Sequence, residues 1–327
     1  MTPLVTIIVP IYNNEKDIEM CVNALLKQTY MHLQIVLVDD GSTDNTYEIC
    51  KTFSDTRILL VKKQNGGASS ARNYGLQYAE GTYIYFADSD DYLEQNAIER
   101  LVFVAEEKKA DCIVLEANNY TEEAELKVKK DGLSLRTSYP IMNGNSLIPQ
   151  LLKNKDFHAA PFLYFVKHSI YEKDLKFEEG IMFEDELFTF QLLQKCERIV
   201  CLREKLYNRR VRSGSVMTTK GKGLFRFYSI SRVLEKLIDM YKSNTTDEVL
   251  RQYLSRIGLL WCSYWEQLEV KEKEEKHENY EKIRRTILQF HGFGSKELII
   301  RCYSYYAWLI YIVPGRFIRK IRLRSLK

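Results

Sequence analysis

Three carboxylates stand within four residues at Asp88-Ser89-Asp90-Asp91. Crowding them costs repulsion unless a cation sits among them. Their hard oxygens suit Mg²⁺ or Mn²⁺, ions that bind through one or two carboxylates together with substrate phosphates. A nucleotide diphosphate acting as leaving group needs that arrangement, because the cation neutralises the charge it develops. The same residues would also serve as an acidic turn capping the next helix. A second set of acceptors lies at Asp39-Asp40-Gly41-Ser42-Thr43-Asp44. A carboxylate there can accept from the imide N–H of a base or from a ribose hydroxyl; alone, the run would be an ordinary turn and helix cap. Arg72 follows Gly66-Gly67 on the first turns of a helix, so helix amides and guanidinium could meet phosphate there, or the arginine could be an exposed helix residue. Tyr207-Asn208-Arg209-Arg210-Val211-Arg212-Ser213-Gly214-Ser215 joins three arginines to small hydroxyl residues. Such a segment suits a loop that closes over a diphosphate, with one of the arginines 209–212, Arg210 among the candidates, and Ser215 as contacts, or a solvated basic loop.

The elements that must position these side chains are readable from apolar spacing. Val5 to Val9 is a β-branched run ended by Pro10 and followed by Asn13-Asn14, a strand and a capping turn. Ile18, Cys21, Val22, Leu25 and Leu26 fall at helical spacing. Gln34 to Val38 repeats the strand pattern and stops at the Asp39-Asp40 turn, with Asp44 as the expected N-cap of a helix through about Phe53. Ile58 to Val61 is a third strand, Gly66-Gly67 opens a helix through about Ala79, and Thr82 to Ala87 is a fourth strand. Strands alternating with helices at this density give a parallel α/β sheet. Ligands bind such sheets beyond the carboxyl ends of the strands, which is where Tyr12, Asn13, Asp39, Asp40 and Asp88 to Asp91 fall. Residues 122–145 are charged and irregular and read as a variable insertion. Beyond Lys220 the pattern turns helical over Leu224 to Tyr241 and Val249 to Leu268, with the charged run Glu269 to Glu278 expected between helices.

With 327 residues, the chain is long enough for one large domain or for one medium domain plus appendages. A net charge of +4 is too small to mark a nucleic-acid binder. Seven dispersed cysteines without a CxxC pair suggest neither a disulfide framework nor a zinc site, and fit a reducing compartment. The first residues lack the basic start of a signal peptide, and no stretch reaches the roughly 18 apolar residues of a spanning helix.

Taken in order, Pro10-Ile11-Tyr12-Asn13, Val38-Asp39-Asp40-Gly41-Ser42-Thr43-Asp44, Asn65-Gly66-Gly67, Ala71-Arg72-Asn73-Tyr74-Gly75 and Phe86-Ala87-Asp88-Ser89-Asp90-Asp91 closely resemble the N-terminal half of family 2 glycosyltransferases with the GT-A fold. The resemblance is dense over roughly the first hundred residues. It implies a UDP-sugar or related donor, a divalent metal, Mn²⁺ or Mg²⁺, and inversion at the anomeric carbon. By position, Pro10 and Tyr12 would border the base, with Asn13 beside them, and Asp40 with Asp39 would bind uracil or ribose. Arg72 and Ser89 would lie near the nucleotide. Asp88 would contact the nucleotide sugar or the metal, Asp90 would ligate the metal directly, and Asp91 would be the third member of the group. An inverting transfer needs a base on the acceptor side. By the same resemblance that base is Asp185, in Phe183-Glu184-Asp185-Glu186-Leu187-Phe188, with Glu184 supporting it; without the upstream motifs this would read as the acidic first turn of a helix.

Near the C-terminus, Tyr303 to Val313 is aromatic and apolar, and Arg316-Phe317-Ile318-Arg319-Lys320-Ile321-Arg322-Leu323-Arg324 alternates cations with large apolar side chains. This composition suits an interfacial helix on anionic lipid, or a core helix with a basic tail or an oligomer interface. The expected organisation is a Rossmann-like α/β GT-A catalytic domain over 1–220, a helical extension over 221–300 and a membrane-surface segment over 301–327. The expected activity is single-sugar transfer from a nucleotide-sugar donor to a glycan or lipid-linked oligosaccharide acceptor at the cytoplasmic face of a bacterial membrane. The Gln-x-x-Arg-Trp motif of processive synthases in the same broad family is missing from the sequence. The rivals are the same chemistry on teichoic acid, lipopolysaccharide core or protein, and a non-catalytic polysaccharide-binding subunit docked on the membrane. A nucleotidyltransferase would show a Gly-rich loop with Lys or Arg after the first strand, and Tyr12-Asn13-Asn14 is unlike it.

Overall fold

Strand β1 (Val5–Ile11) is buried at nearly every position, as a central strand covered on both faces must be. It pairs in parallel with β2 (Leu33–Asp39) on one side and β4 (Tyr83–Phe86) on the other, and β3 (Ile58–Lys62) adds in parallel beyond β2. Helices α1 (Ile18–Leu26), α2 (Thr46–Lys51) and α3 (Ala68–Leu76) make the crossovers. Asp44 does not sit at the N-cap position: α2 begins two residues later, and the Asp44 carboxylate accepts from the Thr46 amide at 3.0 Å and from the Glu15 amide at 3.3 Å. It thus joins two loops while satisfying an early helix amide. The computed structural model describes residues 2–121, 132–172, 174–211 and 223–289.

Beyond β4 the sheet changes character. Strands β5 (Tyr92–Leu93), β6 (Cys112–Tyr120), β7 (Tyr164–Lys167) and β8 (Ile199–Arg210) complete an eight-stranded sheet among the described residues, in the order β3-β2-β1-β4-β7-β6-β8-β5. β7 runs antiparallel to both β4 and β6, and β6 and β8 run parallel with a register shift between Val114 and Ala117. Helix α4 (Ala97–Lys108) covers this half with Ile98, Leu101, Val102 and Ala105 buried. The sheet with its flanking helices is the expected α/β architecture, and helices follow it as expected.

Helix α5 (Gly144–Asn154) packs against α6 (Glu184–Lys195), which carries the acidic triplet in its first turn. The approach requires glycine, since a Cβ on Gly144 would lie 1.7 Å from the Leu193 carbonyl oxygen. Gly144→Ala is therefore expected to push the helices apart at a cost of about 1–3 kcal/mol, read as a lowered melting temperature in a thermal scan.

The chain divides into two units, residues 1–219 and 220–327. In the second, α7 (Gly223–Ser243), α8 (Glu248–Gln267) and α9 (Val270–Gln289) are described. Asp247 caps α8, its carboxylate accepting from the Leu250 amide at 2.8 Å. Trp261 and Trp265 stack on Tyr280 at 4.5 and 4.2 Å. The charged run expected between helices lies inside α9 instead. Its apolar stripe is carried later, by Tyr280, Ile283 and Ile287, and Lys273 is drawn into the packing as its ammonium donates to the Glu266 carbonyl at 3.1 Å. The expected membrane-surface segment, 301–327, lies outside the described residues, and among those described no helix is long and apolar enough to cross a membrane.

Candidate active site

A cleft of about 540 Å³ opens at the carboxyl ends of β1, β2 and β4, the edge where parallel sheets receive ligands. Pro10, Tyr12, Asp40, Arg72, Asp88, Ser89, Asp90, Asp91, Arg209 and Arg210 all border it. Tyr12 is half exposed, presenting an aromatic face to the cleft mouth. Asn13 and Asp39 do not border the cleft. Asn13 takes a left-handed conformation (φ 47°) and clamps the neighbouring loop: its side-chain oxygen accepts from the Thr43 amide at 2.8 Å, and its amide donates to Ser42 Oγ at 3.1 Å. Asp39 is fully buried, accepting from the Ser42 amide at 3.3 Å and lying 3.5 Å from Lys62 Nζ. These two residues build the loop behind the cleft, because adjacent residues at a strand end project to opposite sides.

Asp40 reaches the cleft with its oxygens already engaged. Its carboxylate accepts from the Gly66 amide at 3.0 Å, the Gly67 amide at 2.7 Å and Lys63 Nζ at 2.7 Å. Both glycine amides, expected to meet phosphate, are used in this contact. Lys63 was not foreseen from sequence, since a surface lysine after an edge strand carries no distinguishing mark. The Asp40 loop closes tightly enough to need Gly41, whose φ is +76° and whose Cβ would lie 2.9 Å from the Asn65 nitrogen.

The acidic triplet splits into two kinds of carboxylate. Asp88 and Asp90 border the cleft and remain partly exposed, whereas Asp91 is 3% exposed and accepts from the Tyr207 hydroxyl at 2.7 Å and the Arg210 amide at 2.7 Å. Burial, then the charges of Asp88 and Asp90, push the Asp91 carboxyl well above the usual range. That repulsion is what a cation would relieve. No group of three or more His, Cys, Asp or Glu side chains placed to hold a metal occurs among the described residues. Two partly open carboxylates facing a cleft fit Mg²⁺ or Mn²⁺, which complete their shells with water and phosphate. Ser89 is held by the Asn14 side-chain amide, which donates to its hydroxyl at 3.1 Å.

Arg72 is not an exposed helix residue. It is 6% exposed, lies over the Phe177 ring at 5.3 Å, and bridges two carboxylates: Nη2 donates to Asp88 at 2.9 Å and Nη1 to Glu184 at 3.4 Å. Burial opposes its charge, but Asp88 and Glu184 outweigh that and hold the guanidinium above its ordinary pKa. Glu184 and Asp185 lie outside the cleft lining itself and are tied to it through this arginine. Phe183, which precedes them, is buried with a left-handed backbone (φ 63°). For a bulky residue this conformation is strained, and such strain is stored where geometry must be fixed. The acidic first turn suits the positive end of α6. Asp185 accepts from the Glu186 amide at 2.9 Å, yet burial, followed by the charges of Glu184 and Glu186, raises its carboxyl well above the usual range against the pull of Arg72. Burial likewise raises Glu184.

At the far wall Arg210 pairs with Asp17, while the guanidinium of Arg209, beside it on β8, makes no hydrogen bond or ion pair among the described residues. The segment expected to be a closing loop is strand in its first part, Tyr207 to Arg210 forming the end of β8, while residues 212–215, with Ser215, lie outside the described residues.

Residues 6–175 match the family described as Glycosyl transferase family 2, and the chain belongs to that family. It is 35% identical over 237 residues to glycosyltransferase GlyG of Streptococcus pneumoniae, a match covering 67% of this chain and 75% of that protein. Two further glycosyltransferases it matches are longer, and the matched stretch spans 61% and 31% of their lengths. Among solved structures, S. aureus TarS 1-349 in complex with UDP-GlcNAc shares the fold at TM-score 0.71 and 20% identity, over 86% of this chain and 81% of that one. The mannosyltransferase PcManGT of Pyrobaculum calidifontis, in complex with GDP-Man and Mn²⁺, aligns at TM-score 0.54 and 16% identity over 95% and 82%.

Proposed function

We propose that the protein is an inverting, metal-dependent glycosyltransferase that moves one sugar from a UDP-sugar to a hydroxyl of a lipid-linked oligosaccharide in bacterial surface polysaccharide synthesis. The observation that carries the reading is the Asp88–Arg72–Glu184 bridge, which joins the carboxylates at the cleft to the acidic turn of Asp185. Tyr12 and Pro10 border the base, Asp40 shapes the floor beneath it, and Asp88 and Asp90 hold Mn²⁺ or Mg²⁺. When bound, that ion neutralises charge on the departing diphosphate. Arg209, with its guanidinium free among the described residues, meets the same phosphates, while Arg210 anchors the end of β8 through Asp17. Asp185 takes the proton from the acceptor hydroxyl as that oxygen attacks the anomeric carbon from the face opposite the leaving diphosphate. Its raised affinity for a proton strengthens it as a base, and Glu184, fixed by Arg72, orients the turn.

The TarS complex supports a uridine donor, the GlyG relative supports a bacterial glycan setting, and the aromatic and basic sequence at 303–324 supports a lipid-borne acceptor at the inner membrane face. A mass-spectrometric screen of nucleotide sugars against a lipid-linked acceptor, with and without Mn²⁺, tests this. The expected result is a single-sugar mass increment with UDP release that needs the ion; the same release with the ion chelated would refute the metal role.

A further inference from the structure

The hydrogen bonds about Asp91 close into a ring that the transfer chemistry does not use. The Asp88 amide donates to Tyr207 Oη at 3.0 Å, the Tyr207 hydroxyl donates to Asp91 Oδ2 at 2.7 Å, and the Asp91 amide donates back to the Asp88 carbonyl at 3.2 Å. The second oxygen of Asp91 is held by the Arg210 amide at 2.7 Å. One phenol thereby grips both ends of the turn that carries Asp88, Ser89 and Asp90. The phenol itself is fixed. Tyr207 is fully buried, its ring stacks on Phe162 at 4.5 Å and 6°, and the Phe162 carbonyl accepts from the Tyr85 hydroxyl at 2.6 Å. It sits on β8, paired with Leu93 of β5, and a group mounted on a strand is held more closely than one on a loop. Two like-charged carboxylates two residues apart would spread if the turn were loose. Groups that orient ligands from behind commonly set metal affinity as strongly as this.

We propose that Tyr207 is a positioning residue for the divalent cation: its hydroxyl locks the two ends of the acidic turn and commits Asp91 as an anchor, which leaves Asp88 and Asp90 to face the cleft. The inference rests on the cation reading given above. It is tested by titrating Mn²⁺ into the full chain with UDP present and following loss of the free-ion paramagnetic resonance signal. Wild type is expected to saturate and Asp90→Asn to lose binding, an arm that tests the cation reading by itself. Tyr207→Phe is expected to weaken Mn²⁺ about 10–100-fold while metal-free UDP binding stays unchanged. Tyr83→Phe removes a hydroxyl that donates to Glu106 at 2.6 Å, from the same sheet but away from the ring and from Phe162, and is expected to keep wild-type Mn²⁺ affinity. Asp91→Asn opens the same ring, so the double variant with Tyr207→Phe should be no weaker than the worse single variant. Wild-type Mn²⁺ affinity in Tyr207→Phe, with Asp90→Asn inactive in binding, overturns the inference and leaves the cation reading standing. An equal loss in Tyr83→Phe, or additive losses in the double variant, overturns it too. If Tyr207→Phe does not fold, Asp91→Asn decides alone, and wild-type affinity in it counts against the inference. A wild type that binds no Mn²⁺ removes the cation reading and this inference together.

Discussion

Asp185→Asn is expected to lower kcat for sugar transfer by about 10²–10⁴-fold, the usual contribution of a general base, with UDP affinity unchanged. The substitution keeps shape and removes the proton acceptor, so a binding role and a chemical role separate cleanly. The pH profile adds a sign. Burial and the charges of Glu184 and Glu186 raise the Asp185 carboxyl, so its protonated, inactive form persists above the ordinary carboxylate range and kcat/KM should climb with pH through that raised value. In Asp185→Asn the acid limb should vanish along with the activity. Full transfer activity in this variant, measured as UDP release in the presence of acceptor, would remove Asp185 from the reaction.

The second large effect belongs to Asp90→Asn. Loss of one of two cation ligands is expected to cost about 3 kcal/mol of transition-state stabilisation, roughly a 10²-fold fall in kcat/KM, and to raise the Mn²⁺ concentration giving half-maximal rate. Excess Mn²⁺ should restore part of the rate in Asp90→Asn and none in Asp185→Asn. Equal response of the two variants to the ion would show that Asp90 does not act through it.

What sequence could reveal here follows from how far each constraint reaches along the chain. β1 and β2 are covered on both faces and so spell themselves as unbroken apolar runs. β8 is hidden because Arg203, Glu204 and Lys205 interrupt it at half-buried or exposed positions. The start of α9 is hidden because its apolar stripe begins only at Tyr280. In the site, the place of the acidic cluster at the cleft was legible, since it follows directly on an apolar strand whose carboxyl end faces the ligand edge. The division of labour within it was not. Asp91 differs from Asp90 through partners at 207 and 210, and Arg72 acquires its role from a glutamate 112 residues away. Asp39 and Asp40 likewise separate only when the strand end assigns one to the loop interior and the other to the cleft wall.

The aromatic stack of the helical unit has an optical consequence. All three tryptophans of the chain, 261, 265 and 308, fall after residue 219, so every source of indole emission belongs to the C-terminal unit. Melting the protein while recording emission beside far-ultraviolet circular dichroism therefore yields two curves with different sources. Coincident midpoints would mark one cooperative transition, and separated midpoints would mark two parts that lose order independently.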